Sequence, residues 1–194
     1  MLENLKKYRI ILASNSPRRK ELLAGLDLPY EVKVLPDIDE DYPEELKGKE
    51  IPEYLSRKKA DAYSSLIDDK TLVITADTIV WLNGKVYGKP ASKKDAAGML
   101  HNLSGKTHEV ITGVCLTTKR QQRIFSVFSE VTFTTLSNEE IDYYVEKYAP
   151  LDKAGAYGVQ EWIGYIGVEN IKGSYFNVMG LPVQRLYREL LLMR

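Results

Sequence analysis

The stretch Ile10-Ile11-Leu12-Ala13-Ser14-Asn15-Ser16-Pro17-Arg18-Arg19-Lys20-Glu21-Leu22-Leu23 constrains the fold more than any other part of the chain. Its apolar start suits a buried strand, and a small hydroxyl-rich turn follows. Ser16 is a good helix N-cap, and Pro17 suits the first helical position, where its missing N–H would be unpaired anyway. Leu22, Leu23 and Leu26 then supply a core-facing stripe. The free N–H groups of such a helix start, its positive dipole end, the guanidinium forks of Arg18 and Arg19 and the hydroxyls of Ser14 and Ser16 can converge on a phosphate. The alternative is a capped helix with a solvated basic first turn. Cations at a helix N-terminus oppose the macrodipole by roughly 0.3–1 kcal/mol each, so the arginine pair favours an anion site.

The same alternation runs on through the first hundred residues. The pattern predicts strands at 9–13, 30–35 and 71–76 and helices at 17–26, near 52–67 and near 93–103, which argues for an α/β core. Val110–Thr118 and Arg123–Thr135 read as two long strands joined by a hairpin through Lys119-Arg120-Gln121-Gln122. Ser137 and Glu140 have capping-box spacing for a helix reaching about 147, which Pro150 ends. A strand pair is expected around 164–177. Val183, Leu186, Leu190 and Leu191 mark a terminal amphipathic helix. No repeat or long flexible linker separates independent domains, so the expectation is a single domain over 1–194: a mixed twisted sheet with flanking helices, in two lobes around a central cleft.

Charge and cysteine content narrow the function. Twenty-seven basic residues balance twenty-seven acidic ones. No global field therefore draws the chain to nucleic acid or an anionic membrane, and any polyanion must be bound locally. Cys115 is the one cysteine and only two histidines accompany it, which disfavours a zinc site and excludes an intrachain disulfide. The charged start of the chain fits neither a signal peptide nor a membrane span. A reduced, cytoplasmic setting is expected.

Several residues could carry chemistry. Val73-Ile74-Thr75-Ala76 runs into Asp77, and carboxylates at strand ends are common catalytic groups in open α/β sheets. Asp77 is a candidate base or metal ligand, or else a cap for the turn before Ile79. Lys89 lies between Gly88 and Pro90, where the chain turns and the ammonium can reach a phosphate or simply solvent. Lys58 and Lys59 are adjacent in a helix, so their side chains diverge by about 100°. The acidic run Pro36–Glu45, which includes Glu40, reads as a loop. Ser104-Gly105-Lys106-Thr107 lacks the Walker spacing, because Leu100 stands five residues before Gly105. His108 reads as a strand-entry residue with a satisfied hydrogen bond rather than a base, and His101 as inert. Asp152–Gln160 packs small residues around Tyr157 and presents the Gln160 amide, able to donate and accept toward a base edge. One arginine pair, separated lysines and oxygen-only acidic groups together suit a metal-dependent enzyme acting on phosphoryl groups.

These motifs together resemble the Maf family of nucleoside triphosphate pyrophosphatases, once named for septum formation. The likeness is carried by Ala13–Arg19 with Glu21-Leu22-Leu23, Asp37–Glu40, Lys59-Ala60, Ala76-Asp77-Thr78, Gly88-Lys89-Pro90, His108–Gly113, Asp152–Gln160 and Asn177–Pro182. It implies a fold like that of Maf and inosine triphosphatase. It also implies hydrolysis of a nucleoside triphosphate between its α- and β-phosphates with a divalent cation, Mg²⁺ or Mn²⁺. Asp77 would be the proton acceptor, and the ion would be held by Glu40, Asp77 or both. Ser14, Ser16, Arg18, Arg19, Lys59, Thr78, Lys89 and Gln160 would bind substrate, with Arg18, Thr78 and Gln160 bearing on its choice. Asp-Lys-Ala-Gly-Ala-Tyr-Gly-x-Gln resembles the subgroup acting on dTTP and UTP, rather than the one acting on 7-methyl-GTP. The nucleotide is then the expected partner, without nucleic acid or membrane, and a homodimer is compatible with this size and family. The competing reading is a nucleotide-sensing regulator of cell division that does not turn over its ligand.

Overall fold

A computed structural model describes residues 2–193. Strand β1 (Arg9–Leu12) opens the sheet, and Ile10, Ile11 and Leu12 are all buried, as a run apolar on both faces requires. Helix α1 (Pro17–Ala24) follows, with β2 (Glu31–Val32), α2 (Glu50–Asp61), β3 (Thr71–Leu82), β4 (Lys85–Tyr87) and α3 (Lys93–Leu103). Then come β5 (Thr107–Thr117), β6 (Gln122–Phe133), α4 (Asn138–Tyr148), α5 (Trp162–Gly167), β7 (Val168–Lys172), α6 (Tyr175–Met179) and α7 (Val183–Leu190). The sheet has seven strands in the order β2-β1-β3-β5-β6-β7, with β4 paired to β3. β1 runs parallel to β2 and β3, whereas β4 and β7 are antiparallel to their neighbours. The sheet is therefore mixed, with flanking helices.

Three expected elements differ. The strand foreseen at 71–76 continues to Leu82, so Asp77 stands inside β3 rather than at its end. The cause is the Asn83-Gly84 pair, whose φ angles of 52° and 79° form the tight hairpin that brings β4 back onto Val80–Leu82. The strand foreseen at 30–35 shortens to Glu31–Val32 because only two residues find ladder partners on β1. The strand pair foreseen at 164–177 is instead a helix, one strand and another helix. β-branched and aromatic residues near Trp162 mimic a strand, but Ile163 and Gly167 are buried four residues apart, which is helical spacing.

By packing, the chain divides into two compact units. The first takes the chain as far as Asp77, then Thr112–Val127 and the residues from Gly180 onward; the second comprises Thr78–Ile111 and Phe128–Met179. In the first, Ile11, Tyr63 and Val73 form a buried cluster with Ala13, Leu35, Ile38, Leu66 and Ile67 against it. The Tyr63 hydroxyl satisfies itself there by donating to the Lys33 carbonyl at 2.8 Å and accepting from Leu35 N–H at 3.0 Å. In the second unit, buried Asn177 donates to the Val110 carbonyl and to Ser129, both at 3.0 Å, tying α6 to β5 and β6. Among the described residues no helix is long and apolar enough to cross a membrane.

Candidate active site

Helix α1 begins as its sequence implies. Ser16 Oγ accepts from Arg19 N–H at 3.4 Å, and Ser14 Oγ accepts from Ser16 N–H at 3.2 Å, so both hydroxyls shape the turn. Arg19 does more than line a helix end. Its Nε donates to the Gly180 carbonyl and an Nη to the Ala76 carbonyl, each at 2.8 Å. The guanidinium therefore fastens α1 beside the residue preceding Asp77, a structural reason for this arginine that helix electrostatics alone did not supply. Burial pulls its pKa below the usual arginine value, nearby Asp77 and Glu40 oppose that pull, and Arg18 adds to it. Asp77, Glu40, Arg18 and Arg19 thus share one electrostatic neighbourhood in the first unit.

Lys59 sits at the centre of that neighbourhood. Its Nζ lies 2.6 Å from Asp77 Oδ1 and 2.8 Å from Glu40 Oε1. The Lys59 and Asp77 side chains are only 14% and 12% exposed, so this charge pair is largely withdrawn from water, whereas Glu40 stands half in solvent at 48%. Lys58 diverges as helical geometry demands and pairs with Asp39 at 2.8 Å on the outer side. The acidic run is a loop as read, largely exposed but anchored twice on α2.

Three contacts hold α2 where Lys59 can do this. Buried Thr75 of β3 donates its hydroxyl to the Ser56 carbonyl at 2.6 Å, three residues before Lys59. Ser126 of β6 donates to the Glu53 carboxylate. Gly113 of β5 lies so close to the helix that a Cβ there would meet the Pro52 carbonyl at 2.3 Å. The absence of a side chain at Gly113 lets helix and strand approach.

In the second unit, exposed Lys89 follows Gly88, whose carbonyl accepts from Gly155 N–H at 3.1 Å; this ties the Lys89 turn to the Asp152–Gln160 loop. Thr78 is half-buried on β3. The Gln160 side-chain oxygen is buried with no hydrogen-bond partner among the described residues. An orphaned buried carbonyl costs roughly 1–3 kcal/mol, so it calls for a donor from a ligand or water. His108 enters β5 with the expected hydrogen bond, its Nε2 meeting the Tyr157 hydroxyl at 2.7 Å, while Nδ1 is buried with no partner among the described residues. Burial pushes its pKa down to about 4, leaving the ring neutral at physiological pH.

The sequence reading missed Tyr144 and Glu161, and gave Lys153 no role although it lies in the Asp152–Gln160 motif. Lys153 Nζ lies 2.8 Å from Asp152 Oδ1 and 3.1 Å from Glu161 Oε1, while the Tyr144 hydroxyl donates to Glu161 Oε2. A lysine and glutamate eight residues apart around glycines carry no recognisable spacing signal. Only burial, with Lys153 at 9%, marks them.

A divalent ion fits the donor set. Glu40 and Asp77 place carboxylate oxygens about one point, now taken by the Lys59 ammonium, and both are the hard oxygen donors that magnesium or manganese prefers. No group of three or more His, Cys, Asp or Glu side chains suited to a metal occurs among the described residues. An ion there would complete its shell with waters and phosphate oxygens, the usual situation for magnesium.

The fold first defines a class. The chain is similar to the Staphylococcus aureus Ham1 protein, with a TM-score of 0.50 at 18% identity, over 93% of this chain and 99% of that one. It is thus an α/β protein of Ham1-like fold, here carrying a lysine between two carboxylates beside an arginine pair. The family model described as Maf-like protein matches residues 9–193. The dTTP/UTP pyrophosphatases of Bacteroides thetaiotaomicron and Phocaeicola vulgatus are 65% and 67% identical to it, each over 98% of both chains. The chain belongs to the Maf family.

Proposed function

We propose that this protein is a nucleoside triphosphate pyrophosphatase that hydrolyses dTTP and UTP to the monophosphate and pyrophosphate. The observation that carries the reading is the Lys59 ammonium held between Asp77 and Glu40, beside Arg18 and Arg19, in a chain whose relatives bear that name. Water attacks the α-phosphorus in line, its proton passes to an Asp77 carboxylate oxygen, and the α–β bridging oxygen departs with pyrophosphate. Lys59, Arg18 and Arg19 are the fixed cations on which the charge of the leaving group can settle. Asp77 and Glu40 would hold a divalent ion, which would supply neutralisation of phosphate charge. Ser14 and Ser16, with the helix start they shape, add N–H and O–H donors to the phosphates.

Thr78, Lys89 and Gln160 complete the substrate contacts in this reading. The Gln160 carbonyl oxygen wants a donor, and the imide N–H of uracil or thymine is one; the same amide's NH₂ then faces an adjacent carbonyl of the base. We further propose that the enzyme works in the cytoplasm as a single catalytic domain over 1–194, as a monomer or homodimer, without nucleic acid or membrane. Release of monophosphate and pyrophosphate from dTTP and UTP, measured for the wild type and for Asp77→Asn and Arg18→Ala, tests the assignment. Wild-type rates in both variants would end it.

A further inference from the structure

We infer that Tyr144, Lys153 and Glu161 are positioning residues for base discrimination: a buried clamp that fixes the backbone on both sides of Gln160. The inference rests on the proposed role of Gln160 in reading the pyrimidine. The Tyr144 hydroxyl accepts from Gly158 N–H at 3.0 Å and donates to the Glu161 carboxylate. One hydroxyl therefore holds the residue two before Gln160 and the residue directly after it. The second oxygen of Glu161 is engaged by Lys153, which Asp152 also holds, so the two ends of the loop are linked by charge.

The hydroxyl comes from a rigid support. Helix α4 starts with a complete capping box: Ser137 Oγ accepts from Glu140 N–H at 3.2 Å, and Glu140 accepts from Ser137 N–H at 2.8 Å. Burial and the adjacent Glu161 carboxylate push the Tyr144 phenol up, so it stays protonated and stays a donor. The loop fits this clamp without slack. A Cβ at Gly158 would meet the Glu161 carboxylate carbon at 2.9 Å, and one at Gly155, where φ is +67°, would meet Val80 at 2.7 Å. From the other side Tyr157 is held by His108 at 2.7 Å. A loop restrained at 152, 155, 157, 158 and 161 leaves the Gln160 amide little freedom, which is what discrimination by a single amide needs: uracil offers a donor where cytosine offers an acceptor.

The test compares kcat/KM for UTP and CTP in the wild type, Gln160→Ala, Tyr144→Phe and the double variant. Tyr144→Phe keeps the ring and removes the clamp. The UTP:CTP ratio should fall by about tenfold, the effect of one positioned hydrogen bond, with the change falling on KM for UTP more than on kcat. The double variant should be no less selective than Gln160→Ala alone, since both remove one function. A merely structural role would lower thermal stability and reduce both substrates alike. If Gln160→Ala loses selectivity while Tyr144→Phe keeps the wild-type ratio, the clamp is overturned and the Gln160 reading stands. If the wild type and Gln160→Ala share one ratio, the Gln160 reading fails and the clamp with it. Should Tyr144→Phe not fold, Glu161→Gln, which keeps shape and removes the charge that Lys153 meets, decides on the same ratio: a fall supports the clamp and an unchanged ratio refutes it.

Discussion

Gly113→Ala links packing to chemistry in one methyl group. The new Cβ would stand 2.3 Å from the Pro52 carbonyl carbon and oxygen and 2.6 Å from the Glu53 nitrogen, where ordinary contact begins at 3.4 Å. The obstacles are backbone atoms, so no side chain can swing aside; helix α2 must move from β5 by about 1 Å. Overpacking of this kind costs about 1–3 kcal/mol. The same movement carries Lys59, nearly two turns further along α2, away from Asp77. A misplacement of about 1 Å can cost on the order of 10²-fold in turnover. Urea unfolding should therefore show a lower midpoint, and pyrophosphate release from UTP should fall out of proportion to the folded fraction. Gly98→Ala is the control, because exposed Gly98 in α3 has nothing within 4 Å of an added Cβ. It should be neutral or stabilising by roughly 0.5–1 kcal/mol, with full activity. A Gly113→Ala protein with the wild-type midpoint and rate would refute the view that close approach of α2 to β5 sets Lys59.

Three further outcomes are expected. Asp77→Asn should lower kcat by about 10²–10⁴ if the carboxylate accepts the proton from water, with the loss read as monophosphate formed per unit time from dTTP. His108, neutral in the fold and held to a pKa of about 4 against 6.5 unfolded, binds fewer protons folded than unfolded between those values. Stability should then fall as pH drops from about 6.5 to about 4, by about 3 kcal/mol, and His108→Gln should flatten that slope in denaturant titrations across the range. Cys115 is fully buried, with its thiol pKa raised to about 11 chiefly by desolvation, so a disulfide-exchange reagent at pH 8 should modify it only as fast as the protein unfolds. Rapid labelling of the native protein would contradict that packing.

Short-range features were legible in the sequence because their physics is short-range. The Ser16 cap, Pro17 and the Ser137–Glu140 box each depend on atoms within four residues of one another, and they appear as read. The twelve-residue β3 was also legible in principle, since Asn83-Gly84 is a strong hairpin signal, yet the β-branched run before Asp77 drew attention to a strand end that is not there. Around Trp162 the residue types favoured a strand while the burial spacing, known only after folding, selected a helix.

By itself the sequence determined the residue types available, the mixed α/β order and the oxygen-only, cation-rich chemistry, all consequences of composition and local periodicity. Tertiary structure decided which charges meet. Lys59 and Asp77 are 18 residues apart, and Arg19 reaches Gly180 across 161, so no spacing rule could pair them. Helix and strand packing had to bring them together. It also withdrew Asp77, Lys59 and Lys153 from water, and burial is what turns ordinary carboxylates and ammoniums into fixed, strongly interacting groups.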